Sequence, residues 1–164
     1  MKWMKAFQRP RTSRLRRLPF HALASAGVLA ALVIMAQAAG VPPFTYALDD
    51  SPLEIKLLPD EKITEGVQKF YDTGEDPYKG DAPALAEGKE LYDTYCQACH
   101  LPDGSGRIGP SLIGDTHHYP RFTTDKGIFE IVYGGGAGAM QPFGKRLTQD
   151  QILHIIAYVR SLKK

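Results

Sequence analysis

Cys96, Gln97, Ala98, Cys99 and His100 form a Cys-x-x-Cys-His run. Two thiols three positions apart lie on the same side of a helical turn, where each can add to a vinyl group of a porphyrin. The imidazole that follows at once is then placed under the iron, and the run is the attachment signature of c-type haem. Other uses of paired cysteines fit less well. A redox dithiol needs no adjoining histidine and usually accompanies a βαβ pattern, which this chain lacks. A structural zinc site takes four ligands, and His117, His118 and His154 have no cysteine pair near them. A disulfide between Cys96 and Cys99 would close a loop too small to stabilise much. One covalent haem c is therefore expected, with His100 as its proximal ligand.

The sixth ligand is then sought among soft donors. Met140 lies 40 residues after His100 in the glycine-rich stretch Gly134 to Pro142. Glycine lets a backbone lie close to a flat macrocycle, and nothing in this stretch offers a helical apolar face for a methionine to join. A thioether paired with histidine also raises the potential of haem iron. His117 and His118 are the rival ligands, read instead as residues of the surface or of the propionate side. His154 falls near the apolar face of the last helix and is read as a packed or hydrogen-bonded histidine. Gly109-Pro110 stands ten residues past His100. The prolyl carbonyl can accept the Nδ1 proton of the proximal imidazole, which fixes the ring and raises its basicity.

Four helices are expected to position these groups. Thr64 caps a short helix from Glu65 to about Asp72, ended by Gly74. A second begins after Asp81 with Pro83 in its first turn and runs to about Cys99. Its Leu85, Gly88, Leu91, Tyr92 and Tyr95 share one face, and Gly88 is read as a crossing point for Tyr158. Residues 101–124 read as loop. A third helix spans about Asp125 to Tyr133 and is stopped by Gly134-Gly135-Gly136. The last begins at a capping box, Thr148 with Gln151, and carries Ile152, Ile155, Ile156, Val159 and Leu162 at helical spacing. No strand pattern and no repeat is found, so the fold is expected to be all-α. Short helices make a thin core that commonly needs a cofactor, and a loop of this length points the same way.

The chain has 164 residues, 43% hydrophobic and 23% charged, which excludes a disordered or polytopic membrane protein. Its net charge of +2 hides an uneven division. Residues 1–17 hold seven basic residues and no acid, Leu18 to Leu48 holds no charge, and Ala36-Gln37-Ala38 follows an apolar run. A basic head, an apolar stretch and a small-x-small site describe a secretory signal over residues 1–38. The rival is an uncleaved anchor, since the uncharged run is long enough to span a bilayer. Removing seven of the 20 basic residues leaves 13 against 18 acids, a net of −5. Met1, Met4 and Met35 leave with it, so Met140 is the single mature methionine. Ala39 to Tyr95 carries 13 acids and five lysines, a net of −8. Such a segment repels nucleic acid and favours a basic protein partner through faster encounter; the alternative is that the acids only keep an exported protein soluble.

Gly88-x-x-Leu91-Tyr92, the Cys-x-x-Cys-His run, Gly109-Pro110, Met140 and Leu147-Thr148 opening a helix with Tyr158 together resemble a class I cytochrome c over roughly residues 83–162. The likeness extends to Phe70 through Gly74, Asp76-Pro77-Tyr78, Ala84 to Tyr95 and Lys126 to Gly135, which look like cytochrome c-L, the periplasmic electron acceptor of methanol dehydrogenases that use pyrroloquinoline quinone. The resemblance implies three core helices around a covalent haem, with an acidic extension over 39–80 and the cytochrome c domain over 81–164. It implies Cys96 and Cys99 as thioether links and His100 and Met140 as axial ligands. It also implies a non-enzymatic carrier in the periplasm that takes single electrons from the quinoprotein and passes them to a downstream cytochrome c or oxidase. No nucleic acid is expected as partner, and a membrane only if the signal is uncleaved. Two other readings stay open: a cytochrome subunit of a stable dehydrogenase or oxidase complex, and a haem-based gas sensor in which Met140 leaves the iron.

Overall fold

The computed structural model describes residues 41–115 and 117–162; the signal-peptide reading over residues 1–38 lies outside the described residues. Among the described residues five α-helices follow one another: α1 (Glu65–Thr73), α2 (Ala82–Tyr95), α3 (Gln97–His100), α4 (Asp125–Gly134) and α5 (Gln149–Ser161). Among the described residues there is no strand, only an isolated antiparallel bridge between Thr45 and Pro52, and no helix is long and apolar enough to cross a membrane.

The helix ends follow from short polar side chains that satisfy otherwise unpaired N–H groups. Thr64 accepts from Val67 N and Asp81 from Ala84 N. Thr124 accepts from Gly127 N, and Thr148 and Gln151 form the reciprocal capping box. Gly74 ends α1 at φ 72, a left-handed conformation that glycine adopts without a Cβ clash.

Two features depart from the expected elements. The helix running toward Cys99 is broken at Cys96, whose φ of −118 interrupts it before α3 resumes. The ladder tightens there, with Cys96 N on Tyr92 O and Cys99 N on Cys96 O, a single 3₁₀-type step. Second, the loop 101–124 contains a 3₁₀ turn, Pro120–Thr123. Phe122 holds it down, buried against the core.

The core is centred on the crossing of α2 and α5. A Cβ on Gly88 would run into the His154 carbonyl oxygen, and only then into Tyr158. The backbone of α5, more than the tyrosine, is what the glycine admits. Tyr92 and Tyr158 pack beside this crossing with ring centroids 5.3 Å apart. Phe129 of α4 and Ile152, Leu153 and Ile156 of α5 complete the interior.

The segment before α2 belongs to this core. Phe70 of α1 packs on Phe129 at 4.9 Å and on Phe44 at 6.0 Å. Upstream, residues 43–56 form a strap tied down by polar contacts. Glu130, buried in α4, accepts from Thr45 N at 2.9 Å and pairs with Arg121 and Lys126. Arg121 also reaches Thr45 Oγ1 and Asp50, and the Tyr133 hydroxyl bridges the N–H and C=O of Lys56. A buried carboxylate is retained only when paired and hydrogen-bonded, and here the strap supplies part of that pairing.

Candidate functional site

One large cavity, of about 600 Å³, opens between α2, α3, α4, α5 and the loops that join them. Its size lies within the range of pockets that hold cofactors. Ile128, Ile131, Val132, Ile155 and Val159 give it an apolar lining from α4 and α5. Cys96, Cys99, His100, Gly109, Pro110 and Met140 all line it as well. Every residue singled out by its chemistry in the sequence, His154 apart, is thus brought to one place.

His100 is buried, with Nδ1 2.9 Å from the Pro110 carbonyl oxygen. A carbonyl can only accept, so Nδ1 carries the proton and Nε2 is left free to bind a metal. The loop that brings Pro110 there is built on the last carbonyls of α3. Gly106 N donates to His100 O at 3.0 Å, while Arg107 N and Gly109 N donate to Cys99 O at 3.1 and 3.0 Å. Gly109 presses its backbone against the imidazole: a Cβ there would lie 2.5 Å from Cε1 and 2.8 Å from Nδ1. Only glycine fits.

Neither cysteine is in a disulfide. Burial, and secondarily the neighbouring Cys99, push the Cys96 thiol up to about 12. Redox dithiols work through a lowered thiol pKa, so this pair is poorly suited to disulfide exchange. Among the described residues no cluster of three or more His, Cys, Asp or Glu could hold a bare metal ion. The remaining donor set is two uncommitted thiols, an imidazole with its proton locked on the far nitrogen, and a thioether, all in an apolar cavity. That set fits an iron porphyrin tethered by thioethers and ligated by nitrogen and sulfur.

Met140 is half-buried and packs against the core. Its loop closes on itself through Gly136 N to Met140 O at 3.2 Å, and a Cβ on Gly136 would lie 3.5 Å from Sδ. His117 and His118 also line the cavity; His117 packs at a tilt against Phe122 and His118 sits edge-on to Tyr119. His154 lies away from it, with Nδ1 3.1 Å from Glu87 and its ring edge-on to Tyr78.

Some lining residues carried no sequence signal. Tyr119 and Ile108 sit in the irregular loop, where no apolar period exists to reveal them. Tyr95, Phe143 and Arg146 meet only in space, the guanidinium lying 5.4 Å from each ring centroid.

Residues 83–159 match the family described as cytochrome c oxidase, cbb3-type, subunit III. Cytochrome c-L of Methylorubrum extorquens is 40% identical over 99 residues, which is 60% of this chain and 50% of that protein. Cytochrome c6 of Gloeothece citriformis is 31% identical over 83 residues, 50% of this chain and 72% of that one. The crystal structure of cytochrome cL from Methylophaga aminisulfidivorans superposes with a TM-score of 0.71 at 38% identity, covering 74% of this chain and 81% of the other. The chain belongs to the class I c-type cytochromes, as a cytochrome c-L homologue. Its match spans half the length of the curated cytochrome c-L. This cytochrome has the class I cytochrome c fold, its cofactor is one covalently attached haem c, and its general role is electron transport.

Proposed function

We propose that this cytochrome is exported to the periplasm through residues 1–38 and there accepts single electrons from a methanol dehydrogenase that uses pyrroloquinoline quinone. It passes them on to a downstream cytochrome c or oxidase. In this reading residues 39–80 are the extension and 81–164 the haem-carrying domain. Cys96 and Cys99 form the two thioether links, His100 is the proximal ligand and Met140 the distal one.

The observation that carries the reading is the meeting of both thiols, the Nδ1-protonated imidazole and the Met140 thioether in one apolar cavity. The haem iron supplies a one-electron couple between its ferric and ferrous forms. The chain's own residues do the rest. Pro110 holds the Nδ1 proton of His100 through its carbonyl, so the ring keeps one tautomer and one orientation in both redox states. Gly109 lets the backbone stop the imidazole from turning. Ile128, Ile131, Val132, Ile155 and Val159 exclude water, which lowers the solvent rearrangement that a change of charge would otherwise require. With His100 and Met140 both committed, no position is left for a substrate, and the exchange is by electrons alone. The acidic surface of residues 39–95 supports steering toward a basic partner.

The test mixes the purified ferric protein with an active methanol dehydrogenase of this type and methanol, following the visible haem bands. Reduction within the turnover time of the dehydrogenase, slowed by added salt, is expected. A haem that stays oxidised removes this partner and leaves the cytochrome. The match to an oxidase subunit over residues 83–159 favours a second reading, a cytochrome subunit of a stable complex. Co-purification at a fixed ratio in high salt would select it.

A further inference from the structure

The Met140 loop is held from outside by Tyr119, a residue of the irregular loop 101–124. Two hydrogen bonds order its turn. Gly136 N donates to Met140 O within the loop, and Ala137 N donates to the Tyr119 hydroxyl at 2.6 Å. The Tyr119 ring and the Met140 thioether both approach Gly136: a Cβ on Gly136 would meet Met140 Sδ at 3.5 Å and Tyr119 Cε2 at 3.6 Å. Tyr119 is itself firmly placed. It opens the 3₁₀ turn Pro120–Thr123, whose Phe122 is buried and whose Arg121 is paired to Glu130 of α4 and to Asp50 of the strap. The anchor at one end of the phenol is therefore the core, and at the other the loop that carries the thioether.

We infer that Tyr119 is a positioning residue for the sixth ligand: its hydroxyl, accepting from Ala137 N–H, holds the Met140 loop in the conformation that keeps the thioether on the iron. The inference rests on Met140 being the distal ligand. The hydroxyl itself neither touches iron nor moves a proton. It biases an equilibrium between a loop that presents sulfur and one that does not, and such a bias is lost when the acceptor is removed while the ring is kept.

The test is Tyr119→Phe in the haem-loaded protein, with Tyr78→Phe as control. The Tyr78 hydroxyl is likewise hydrogen-bonded, donating to Asp150 at 2.7 Å, but lies outside the cavity. In the reduced protein, carbon monoxide competes with the thioether for the iron, so its binding rate reports how often Met140 is off. Tyr119→Phe should raise that rate about fivefold, the factor set by one ordinary hydrogen bond of about 1 kcal/mol. Tyr78→Phe should leave the rate at the wild-type value even if both variants melt earlier. Equal rates in Tyr119→Phe and wild type, in a protein that shows the ferric sulfur-to-iron near-infrared band, overturn the positioning role alone. Absence of that band from the wild type, or its survival in Met140→Ala, overturns the ligand assignment instead.

Discussion

The two segments that flank the haem cavity are built to different standards. Residues 104–112 fold back onto α3 through Gly106, Arg107 and Gly109 N–H groups on the His100 and Cys99 carbonyls, with Leu112 N on Gly104 O closing the loop at 2.8 Å. Tyr92 adds its hydroxyl to Leu101 O at 2.7 Å. The Met140 loop is fastened at its ends, by Gly135 N on Ile131 O and by Phe143 N on Val132 O, but between them it has only the Gly136 N bond to Met140 O and the Ala137 N bond to Tyr119. The difference teaches where the geometry of each proposed ligand comes from. His100 is fixed by backbone that is local in sequence and dense in bonds, whereas Met140, the proposed distal ligand, is held in its loop chiefly by a long-range contact. Regions with few buried contacts and few bonds open first, so ligand loss is expected on the sulfur side.

The largest effect should come from breaking the dense side. Gly109→Ala places a Cβ against Cε1 and Nδ1 of a buried ring that has no room to retreat. Overpacking of this kind typically costs about 1–3 kcal/mol and more against rigid backbone, and here it also displaces His100, the proposed proximal ligand. The expected outcome is a severe loss of haem-loaded protein, measured as haem absorbance per polypeptide after maturation. Normal yield and an unchanged visible spectrum would show that the proximal loop gives way as easily as the other. Met140→His should behave differently. The protein should still mature and fold, with haem content unchanged, but lose the near-infrared band and fall in reduction potential, since histidine is the harder ligand. Potentiometric titration checks it, and a potential equal to the wild type would remove the thioether from the assignment.

The same contrast explains what could be read from the sequence. The Cys96-x-x-Cys99-His100 run, the caps at Thr64, Asp81 and Thr148 and the apolar face of α5 are local patterns, so helices and haem attachment were legible. Gly109-Pro110 was legible because ten residues bring it back over the helix that precedes it. Tyr119 was not, since its partner Ala137 lies 18 residues on in a loop without periodicity. Nor was the role of the segment before α2. Its charge suggested an acidic extension facing a partner, and the apolar side of its helix, with Val67 and Phe70, does enter the core. But Phe44 also packs there, and Thr45 and Asp50 join the Glu130–Arg121 pairing. Net charge counts acids without saying which are buried and paired.

Asp76, at the join between α1 and α2, sharpens the comparison by testing stability that belongs to neither loop. It is buried, accepts from Tyr78 N at 2.9 Å, and donates its own N–H to Asp125 Oδ2 at 3.0 Å. Burial pushes its carboxyl up to about 6, the Asp125 charge adding to this. Asp125 is held below the usual range despite its burial, by the Asp76 N–H, Lys79 and Arg160. The signs are opposite. With its pKa raised in the folded state, Asp76 favours folding while protonated, and that advantage is lost as pH rises from about 4 to about 6. Asp125 contributes above about 4 and its share is lost as pH falls below that. Thermal stability should therefore decline between about pH 4 and about pH 6. Asp76→Asn, which keeps an acceptor for Tyr78, should flatten that decline and gain at most about 3 kcal/mol at pH 7. The near-infrared band should be the same in both proteins, because the change is remote from Met140. A decline as steep in the Asn variant would assign it to another group.

The smallest effect is expected on the sparse side. Gly138 has φ 70 and open space where a Cβ would go. An alanine there meets no protein atom and suffers the left-handed backbone, about 1 kcal/mol, partly offset because alanine also restricts the unfolded chain. Gly138→Ala should thus keep full haem content and lower the melting temperature by less than about 5 °C. Because Gly138 lies between the Ala137 anchor and Met140, that strain has a second outlet. It can be relieved by letting the thioether leave the iron more often, so carbon monoxide should bind the reduced variant slightly faster than the wild type. If Gly138→Ala loses haem as Gly109→Ala does, the Met140 loop is as rigidly specified as the loop beneath His100, and the contrast between the two sides is gone.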